Sequence, residues 1–339
     1  MPATIYVVAA RSGVSTATVS RILSGKITSR SKSYQKVMTA VDELGYTSPM
    51  LCAAKLPAQP HTQKVMLIVD DLTNPFYQGI ICGITAVLAE KNYLPQVVLS
   101  GAGAFSEESL LQIAESEQYV GAIMLTAIET PALIDTLSHL TMPIVMVNRS
   151  LRSFDVNSIC IDNRRGGYIA TQYLIKSGHR RIAHLSGPTN STASYDRLCG
   201  FRDAMDDNHL PIPKEAIFLG DLKAASGAAF AAYYQEHLRH YTAVFCANDV
   251  MAAMFVKCLK ERGIIVPDDV SVICFDDTPE TTGGIINLTT LAQNPNTMGR
   301  AAAENLLSLL HENGNHLCKK TIFPPALIVR DSVAPLGGK

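Results

Sequence analysis

The sequence has no apolar run long enough to span a membrane, no export signal and no paired-cysteine motif. Its apolar stretches fall short of the roughly 18 residues that a membrane-spanning helix requires. A secretory signal places basic residues before a longer apolar segment, whereas here the short apolar stretch at residues 5–10 is interrupted at once by Arg11 and Ser12. We therefore expect a cytoplasmic protein that makes no membrane contact.

The eight cysteines are scattered along the chain, and none forms a Cys-x-x-Cys pair. Most of them lie in apolar strand or helix patterns, so we expect reduced, buried thiols. His237 and His240 lie one helical turn apart, but the sequence offers no third ligand, which favours a solvated helix face over a metal site. The sequence therefore implies no metal and no cofactor.

The sequence also lacks the loops by which many enzymes hold phosphates or nucleophiles. The first apolar strand of the larger region runs into Asp70 to Asn74 rather than into a glycine-rich loop, and Gly101 and Gly103 lack a third glycine. There is no Gly-x-Ser-x-Gly elbow and no Walker string. An enzyme, such as a nucleotide-dependent dehydrogenase, is therefore the weakest of the functional alternatives.

What the sequence does contain is two regions of opposite charge. Its 339 residues exceed what one core can serve, so two or more domains are expected. Residues 1–60 carry seven lysines and arginines against Asp42 and Glu43, whereas the remainder holds 22 basic and 28 acidic residues. A basic front on an acidic body favours contact between that front and a polyanion.

Residues 5–46 have the pattern of three short amphipathic helices. Gly13 supplies a tight turn in which a positive φ is expected. Ser15 is the predicted N-cap of a second helix over residues 16–23, and a third helix is predicted near residues 31–44. Two helices joined by a glycine-containing turn are typical of proteins that insert a helix into the major groove of DNA.

The outward face of the second helix carries small polar or methyl-bearing side chains and one arginine. These residues are Thr16, Ala17, Thr18, Ser20 and Arg21. Arginine can bind guanine through two hydrogen bonds, and hydroxyl and methyl groups can contact base edges, phosphates or the thymine methyl group. Any three-helix bundle shows the same periodicity, and its basic residues can serve solubility alone. From the residues alone we favour DNA binding over that alternative.

Several strings in this region closely resemble the headpiece of the LacI/GalR family of bacterial transcriptional regulators. They are Thr4-Ile5-Tyr6, Ser12-Gly13-Val14-Ser15, Thr18-Val19-Ser20-Arg21-Ile22-Leu23 and Glu43-Leu44-Gly45-Tyr46. The resemblance implies that Thr16 and Ala17 select the operator sequence and that Arg21 reads a base. It also implies that Tyr6 and Thr18 contact the DNA backbone.

The chain departs from this family at the third helix and in the segment that follows the headpiece. Arg30 stands in place of the usual serine cap, so Thr28, Ser29 or Ser31 is expected to cap the helix instead. In the family, a hinge helix wedges a leucine into the minor groove and kinks the DNA. Leu56 is the candidate wedge here, within a hinge and linker predicted over residues 47–63, although it lies one residue late.

Beyond the linker, short apolar runs alternate with helical patterns, which predicts parallel sheets covered by helices on both faces. The predicted strands form two series: 65–69, 96–99, 122–125, 144–147 and 158–161, then 182–185, 216–219, 243–246, 272–275 and 288–291. Helices are predicted between them, for instance over residues 76–91, 165–177, 195–208, 249–262 and 297–311. Two such series indicate two similar subdomains.

This larger region resembles the effector domain of the same family. The strings that carry the resemblance include Ser177-Gly178-His179-Arg180-Arg181, Ala247-Asn248-Asp249-Val250 and Val266-Pro267-Asp268-Asp269-Val270. The resemblance implies an α/β fold with two doubly wound parallel-sheet subdomains of periplasmic-binding-protein type I. We predict a headpiece over 1–46 and an effector-binding and dimerisation domain over 64–339. Its N-subdomain is predicted at about 64–162 plus 293–325, and its C-subdomain at about 163–292 plus 326–339.

Polar residues cluster after the predicted strands, where the carboxyl ends of two open sheets can face one cleft. Carboxylates, amides and an arginine suit a hydroxyl-rich effector such as a sugar, and Phe76 could stack on a sugar ring. Taken singly, each is also an ordinary polar loop residue or helix cap. The resemblance implies the effector contacts Arg197 and Asp276, then Asn248, Asn148, Asp162 and Phe76, with Asn74 beside them and Leu222 where relatives often have an aromatic residue.

The sequence therefore predicts a DNA-binding repressor whose operator affinity is controlled by a small-molecule effector, with a solute-binding protein as the alternative. A solute-binding protein needs an export signal and has no use for residues 4–46. One small headpiece contacts few bases, so a symmetric homodimer on two half-sites is expected. The helix faces expected to form that dimer hold Ile80, Ile81 and Ile84 in one subdomain and Met251, Met254 and Phe255 in the other.

Overall fold

The computed structural model describes residues 4–23, 27, 31–44, 63–100, 105–311 and 318–336. The predicted hinge and its candidate wedge Leu56 lie outside these residues. The limits predicted above for the domains stay predictions.

The headpiece contains three helices that enclose a small apolar core. They are α1 (Ile5–Ser12), α2 (Thr16–Leu23) and α3 (Lys32–Leu44). The buried side chains come from all three helices: Val8, Ala9, Val19, Ile22, Leu23, Val37, Ala40 and Val41. The predicted bounds of the second helix agree with the structure, and the third begins within one residue of its predicted start.

Local turn and cap residues fix the ends of these helices. Gly13 has a φ of 65°, in the left-handed region that glycine adopts without steric cost. Ser15 Oγ accepts a hydrogen bond from the backbone N–H of Thr18 at 3.3 Å, as expected of an N-cap. Ser31 Oγ accepts from the N–H of Tyr34 at 3.1 Å, so Ser31 is the residue that caps the third helix.

The larger region alternates strands and helices along the chain. The strands are β1 (Gln63–Val69), β2 (Tyr93–Leu99), β3 (Gly121–Met124), β4 (Ile144–Val147), β5 (Asn157–Ile161), β6 (Ile182–Ser186), β7 (Ile217–Leu219), β8 (Ala243–Cys246), β9 (Ser271–Asp276), β10 (Thr289–Ala292), β11 (Lys320–Phe323) and β12 (Ala326–Ile328). The helices are α4 (Pro75–Glu90), α5 (Glu107–Ser116), α6 (Pro131–His139), α7 (Asn163–Lys176), α8 (Thr192–Asp207), α9 (Ala224–His237), α10 (Asp249–Glu261) and α11 (Pro295–His311).

These strands form two six-stranded sheets, one in each subdomain. The first has the order β11-β5-β4-β3-β1-β2 and the second the order β12-β10-β9-β8-β6-β7. All neighbours are parallel except β12, which runs antiparallel to β10. The predicted pair of doubly wound parallel sheets is therefore confirmed. The chain passes between the subdomains three times, after β5, after β10 and between β11 and β12.

Each sheet is covered on both faces, as the alternation along β1 illustrates. Val65, Leu67 and Val69 pack in one core with residues of α4 and α11. Met66 and Ile68 point the other way, into a core shared with α5 and α6. Because both faces of the strand are buried, its sequence is continuously apolar rather than alternating.

Most of the side chains predicted to form the dimer lie in these cores instead. Ile80, Ile84, Met251 and Phe255 are completely buried within their own subdomains. That part of the prediction is wrong, because an apolar stripe on a helix of a doubly wound fold faces its own sheet first. Among the described helices, none is long and apolar enough to cross a bilayer.

Two helix pairs cross so closely that glycine occupies the contact. A Cβ placed on Gly83 in α4 would lie 2.2 Å from the carbonyl oxygen of Asn296 in α11. A Cβ on Gly200 in α8 would lie 1.9 Å from the carbonyl oxygen of Arg164 in α7. Both distances are far below van der Waals contact, so these crossings require a residue without a side chain.

A histidine lies in the core of the second subdomain without any exposure. His184 stacks between Phe201 and Phe245, with ring centroids 5.1 and 4.6 Å away. Its Nδ1 donates to the carbonyl oxygen of Phe245 at 2.9 Å, and its Nε2 has no partner. Burial lowers the pKa of His184 to about 4.

We expect acid to destabilise the protein through His184. The unfolded chain takes up this proton near pH 6.5 and the folded chain only near pH 4, so the contribution is complete above about pH 6.5 and is lost as the pH falls towards 4. Between pH 7.5 and 5.5, the free energy of unfolding of the wild type should fall by about 1.4 kcal/mol more than that of His184→Phe. Urea titrations at both pH values measure this difference; equal losses in the two proteins would contradict it.

Candidate functional sites

The outward side of α2 presents the predicted DNA-binding residues on one surface. Thr16, Ala17 and Arg21 are exposed, Thr18 and Ser20 are half-buried, and the opposite side of the helix is buried. Tyr6 on α1 is 73% exposed, although it is aromatic. The structure thus brings together six of the seven predicted DNA contacts, whose role stays a prediction.

The second candidate site is the cleft between the two subdomains. Its walls are Asp70, Asp71, Tyr77, Thr126, Ala127, Ile128 and Arg149 on one side and Pro188, Asn190, Ser191, Asp221, Leu222 and Lys223 on the other. At the rim, the guanidinium of Arg152 lies 4.5 Å from the ring centroid of Tyr195 in the opposite subdomain. The enclosed volume of about 120 Å³ is smaller than the roughly 300 Å³ at which ordinary ligand pockets begin. A sugar-sized effector therefore requires the cleft to open.

Arg197 and Asp276 form a buried ion pair beside this cleft. Nη1 of Arg197 lies 3.3 Å from Oδ1 of Asp276, and the two side chains are only 5% and 6% exposed. Arg197 also donates to Oδ1 of Asn163 at 2.8 Å and to the carbonyl oxygen of Ala247, and its guanidinium lies 3.8 Å above the ring of Phe275. One side chain on α8 thereby links the start of α7 to the carboxyl ends of β8 and β9.

The carboxylates near this pair are strongly desolvated. Burial raises the pKa of Asp276, and the charge of Arg197 opposes that rise. Asp249, at the start of α10, accepts hydrogen bonds from the N–H of Thr278 at 2.7 Å and from the hydroxyl of Thr290 at 3.0 Å. Burial and then the charge of Asp276 raise the pKa of Asp249. Sequence reasoning noted Asp249 only as a polar residue, because its burial depends on the packing of three distant segments.

Backbone strain is concentrated at the cleft. Asn148, Leu222 and Asp276 have φ values of 60°, 67° and 115°, and none of them is glycine. Such conformations cost about 1–3 kcal/mol each and persist where surrounding structure holds them, often at functional sites. All three were predicted effector contacts, and the strain is an independent observation in favour of a functional cleft.

Three other predicted contacts serve as helix caps in this structure. Asn74 accepts from the N–H of Phe76 at 3.0 Å, and Asp162 from the N–H of Arg165 at 2.9 Å. Asn248 accepts from the N–H of Met251 at 3.0 Å and also donates to the carbonyl oxygen of Leu222 at 2.9 Å. Asn248 therefore positions the loop that carries Leu222, which lines the cleft.

The structure does not bring Phe76 to the surface of the cleft. Its side chain is 2% exposed and packs in the core beneath β1, whereas the next residue, Tyr77, lines the cavity. The sequence could not distinguish these neighbours, because the angle at which α4 leaves the sheet decides which ring faces the cleft. Stacking of Phe76 on a sugar stays a prediction.

Cysteine and histidine provide no metal cluster in the described residues. Four of the described cysteines, Cys160, Cys246, Cys258 and Cys274, are buried as expected. Cys318 is exposed, so the expectation of a buried thiol is wrong there. It precedes the edge strand β11, where one side of the chain has no covering helix.

Comparison with known proteins gives a consistent result over the whole chain. Residues 4–48 match the family described as "Bacterial regulatory proteins, lacI family", and residues 171–333 match "Periplasmic binding protein-like domain". The chain is 32% identical to the transcriptional regulator DegA of Bacillus subtilis, over 99% of both chains. It is also 32% identical to the transcriptional repressor PurR of Vibrio parahaemolyticus, over 98% of this chain and 99% of that one.

Solved structures show the same likeness. A complex of the transcriptional regulator CelR with cellobiose has a TM-score of 0.74 and 28% sequence identity. The match covers 97% of this chain and 99% of that one. Headpiece and two-sheet body therefore occur together in these relatives, in the same order.

Proposed function

Since the chain belongs to the LacI family of bacterial regulatory proteins, we propose that it is a transcriptional repressor whose operator affinity is set by a sugar or sugar derivative in the cleft. The observation that carries this proposal is the combination, in one chain, of an exposed helix face suited to the major groove with a strained cleft beside the Arg197–Asp276 pair. A solute-binding protein would use only the second of these features.

The DNA-binding step rests on the exposed face of α2. Arg21 is the side chain there that can form a bidentate contact with guanine, while Thr16 and Ala17 can read neighbouring bases. We propose a homodimer, so that two headpieces read two half-sites related by two-fold symmetry. The edge strand β2 offers a surface for it, since Val97 and Leu99 are 42% and 50% exposed although apolar.

We expect Arg21→Ala to weaken specific DNA binding at least about 30-fold. A bidentate arginine–guanine contact contributes about 1–3 kcal/mol, and a symmetric dimer loses it twice. The experiment first selects bound fragments from sheared genomic DNA, then measures affinity by fluorescence anisotropy at a fixed salt concentration, because phosphate contacts depend on salt.

Arg11→Ala is the matched control, because it removes the same charge from the same headpiece. Arg11 lies on α1, and its guanidinium is paired with Glu43 at 2.8 Å. Its replacement should change affinity only a few-fold. Equal losses in the two variants would mean that α2 does not read bases, and the absence of any preference for genomic fragments over random duplex would contradict the proposed function.

The effector acts, in this proposal, through the opening of the cleft. The cavity is too small for a sugar in the conformation described, so a bound sugar favours a different relation between the subdomains. A coupling of about 1–3 kcal/mol would change operator affinity roughly 5- to 150-fold. We propose no catalytic role, in keeping with relatives that are named as regulators, and we place the protein with the DNA it regulates, in the cytoplasm.

A further inference from the structure

The wall of the cleft contains a second buried arginine that has no carboxylate partner. Arg149, which follows β4, is 7% exposed. Its Nη1 donates to the carbonyl oxygen of Asn148 and its Nη2 to the hydroxyl of Tyr77, each at 3.0 Å. Both acceptors are uncharged, and no carboxylate of the described residues lies within ion-pair distance of the guanidinium.

The carboxylates that line the same cavity are already engaged by their own loops. Asp71 accepts from the N–H and the hydroxyl of Thr73 at 2.7 and 2.6 Å. Asp221 accepts from the N–H of Lys223 at 2.9 Å and from the hydroxyl of Ser226 at 2.5 Å. Asp70 is exposed, so water screens its charge. The buried positive charge of Arg149 is therefore not balanced at close range.

An unbalanced buried guanidinium is energetically costly, because arginine cannot discharge by losing its proton. Arg197 meets the same cost with Asp276, whereas Arg149 has no such neighbour. The planar guanidinium fork matches carboxylate and phosphate groups through two parallel hydrogen bonds. An anion entering the cleft would supply the missing charge.

Unpartnered acceptors lie near this positive charge. Oδ1 of Asn148, the residue before Arg149, is buried and has no hydrogen-bond partner. Oε1 of Gln293 is also unpartnered, while the Nε2 of the same side chain donates to Asp276. Buried acceptors of this kind need donors, and the hydroxyl groups of a ligand are donors that the cleft itself does not supply.

We propose that the effector is a polyhydroxylated anion, a sugar acid or a sugar phosphate, whose anionic group binds Arg149. The inference rests on the proposed function, since it assigns the chemical class of the effector in the same cleft. It makes Arg149 the residue that selects an anionic sugar over the neutral sugar of the same stereochemistry.

The test is calorimetry on the full-length protein with matched probes: glucose, glucuronate and glucose 6-phosphate, and the corresponding galactose series. At least one anion should bind about tenfold or more tightly than its neutral parent, and the carboxylate and phosphate probes distinguish the two sources of charge. Arg149→Gln should weaken binding of that anion about 10- to 100-fold, as expected for loss of a charge-assisted hydrogen bond. Affinity for the neutral sugar should change less than about threefold.

Two further variants keep the result interpretable. Arg181→Gln removes the same charge from an exposed position before β6, at the end of the sheet remote from the cleft, and should leave anion binding unchanged. Arg149→Lys retains the charge if Arg149→Gln does not fold, and should still prefer the anion over the neutral sugar.

Three outcomes would overturn the inference: equal or tighter binding of the neutral sugars, unchanged anion binding in Arg149→Gln, or no heat with any probe. Each of these leaves the proposed function standing if the protein still selects genomic fragments. Failure of that selection would contradict the proposed function itself, whatever the calorimetry shows.

Discussion

Replacing Arg197 by alanine is expected to abolish binding of the responding effector and to lower the free energy of unfolding by about 3–5 kcal/mol. The substitution leaves the carboxylate of Asp276 buried without its partner, which is the costly way to break a buried ion pair. It also removes the hydrogen bonds to Asn163 and Ala247 and the contact with the ring of Phe275. Urea denaturation and calorimetry measure the two effects separately.

A double-mutant cycle and an exposed control sharpen this prediction. Asp276→Asn in the Arg197→Ala background removes the stranded charge, so the double variant should be more stable than the sum of the single losses implies. Arg164→Ala breaks an exposed ion pair with Asp203, at 2.6 Å on the neighbouring helix, and should leave the denaturation midpoint almost unchanged. Additive losses at Arg197 and Asp276 would show that the pair is not coupled.

The pH dependence of Arg197→Ala follows from the same physics. Burial raises the pKa of Asp276, and Arg197 is the neighbour that most opposes the rise. Without Arg197 the pKa should rise further, so Asp276 takes up a proton more readily as the pH falls. The stability difference between wild type and Arg197→Ala should therefore shrink between pH 7.5 and 5.5; a difference that grows would point to another cause.

Gly200→Ala is expected to destabilise the protein by about 3 kcal/mol or more. In an unconstrained helix the same change would be favourable by roughly 1 kcal/mol. Here the new methyl group would lie 1.9 Å from the carbonyl oxygen of Arg164, so α7 and α8 must separate. Because α8 carries Arg197, that separation should also reduce effector affinity. Urea denaturation monitored by circular dichroism gives the stability.

Gly284→Ala is the matched control, since a Cβ there meets its nearest neighbour only at 3.8 Å. Its midpoint should stay within about 0.5 kcal/mol of the wild type. If Gly200→Ala unfolded at the same urea concentration as Gly284→Ala, the helix pair would be more adaptable than its geometry indicates.

The parts of the fold that could be predicted from the sequence are those determined locally. The bounds of α2 follow from Ser15 and from the turn at Gly13, both within a few residues of the helix. Buried parallel strands such as β1 and β9 are continuous apolar runs, so their positions were also predictable. The comparison of such runs along the chain was enough to indicate two similar sheets.

Features that depend on distant neighbours were not predictable. Strand β11 is short and mostly exposed, so it gives no apolar signal and exists as a strand because β5 offers it an edge. Helix α9 is rich in alanine and has almost no apolar face that differs from the rest of its surface. The contrast between Arg197, paired, and Arg149, unpaired, depends on which carboxylates the fold brings near each of them.

The passage of the chain back and forth between the two sheets has a consequence for biosynthesis. When a ribosome has made residue 292, the second sheet lacks only β12, but the first still lacks the helix α11 and the edge strand β11. The half that is started first is therefore completed almost last, and until then the apolar side of β3, β4 and β5 that α11 covers is open to water. A nascent chain of this protein must protect that surface while roughly the last tenth of its length is still being translated.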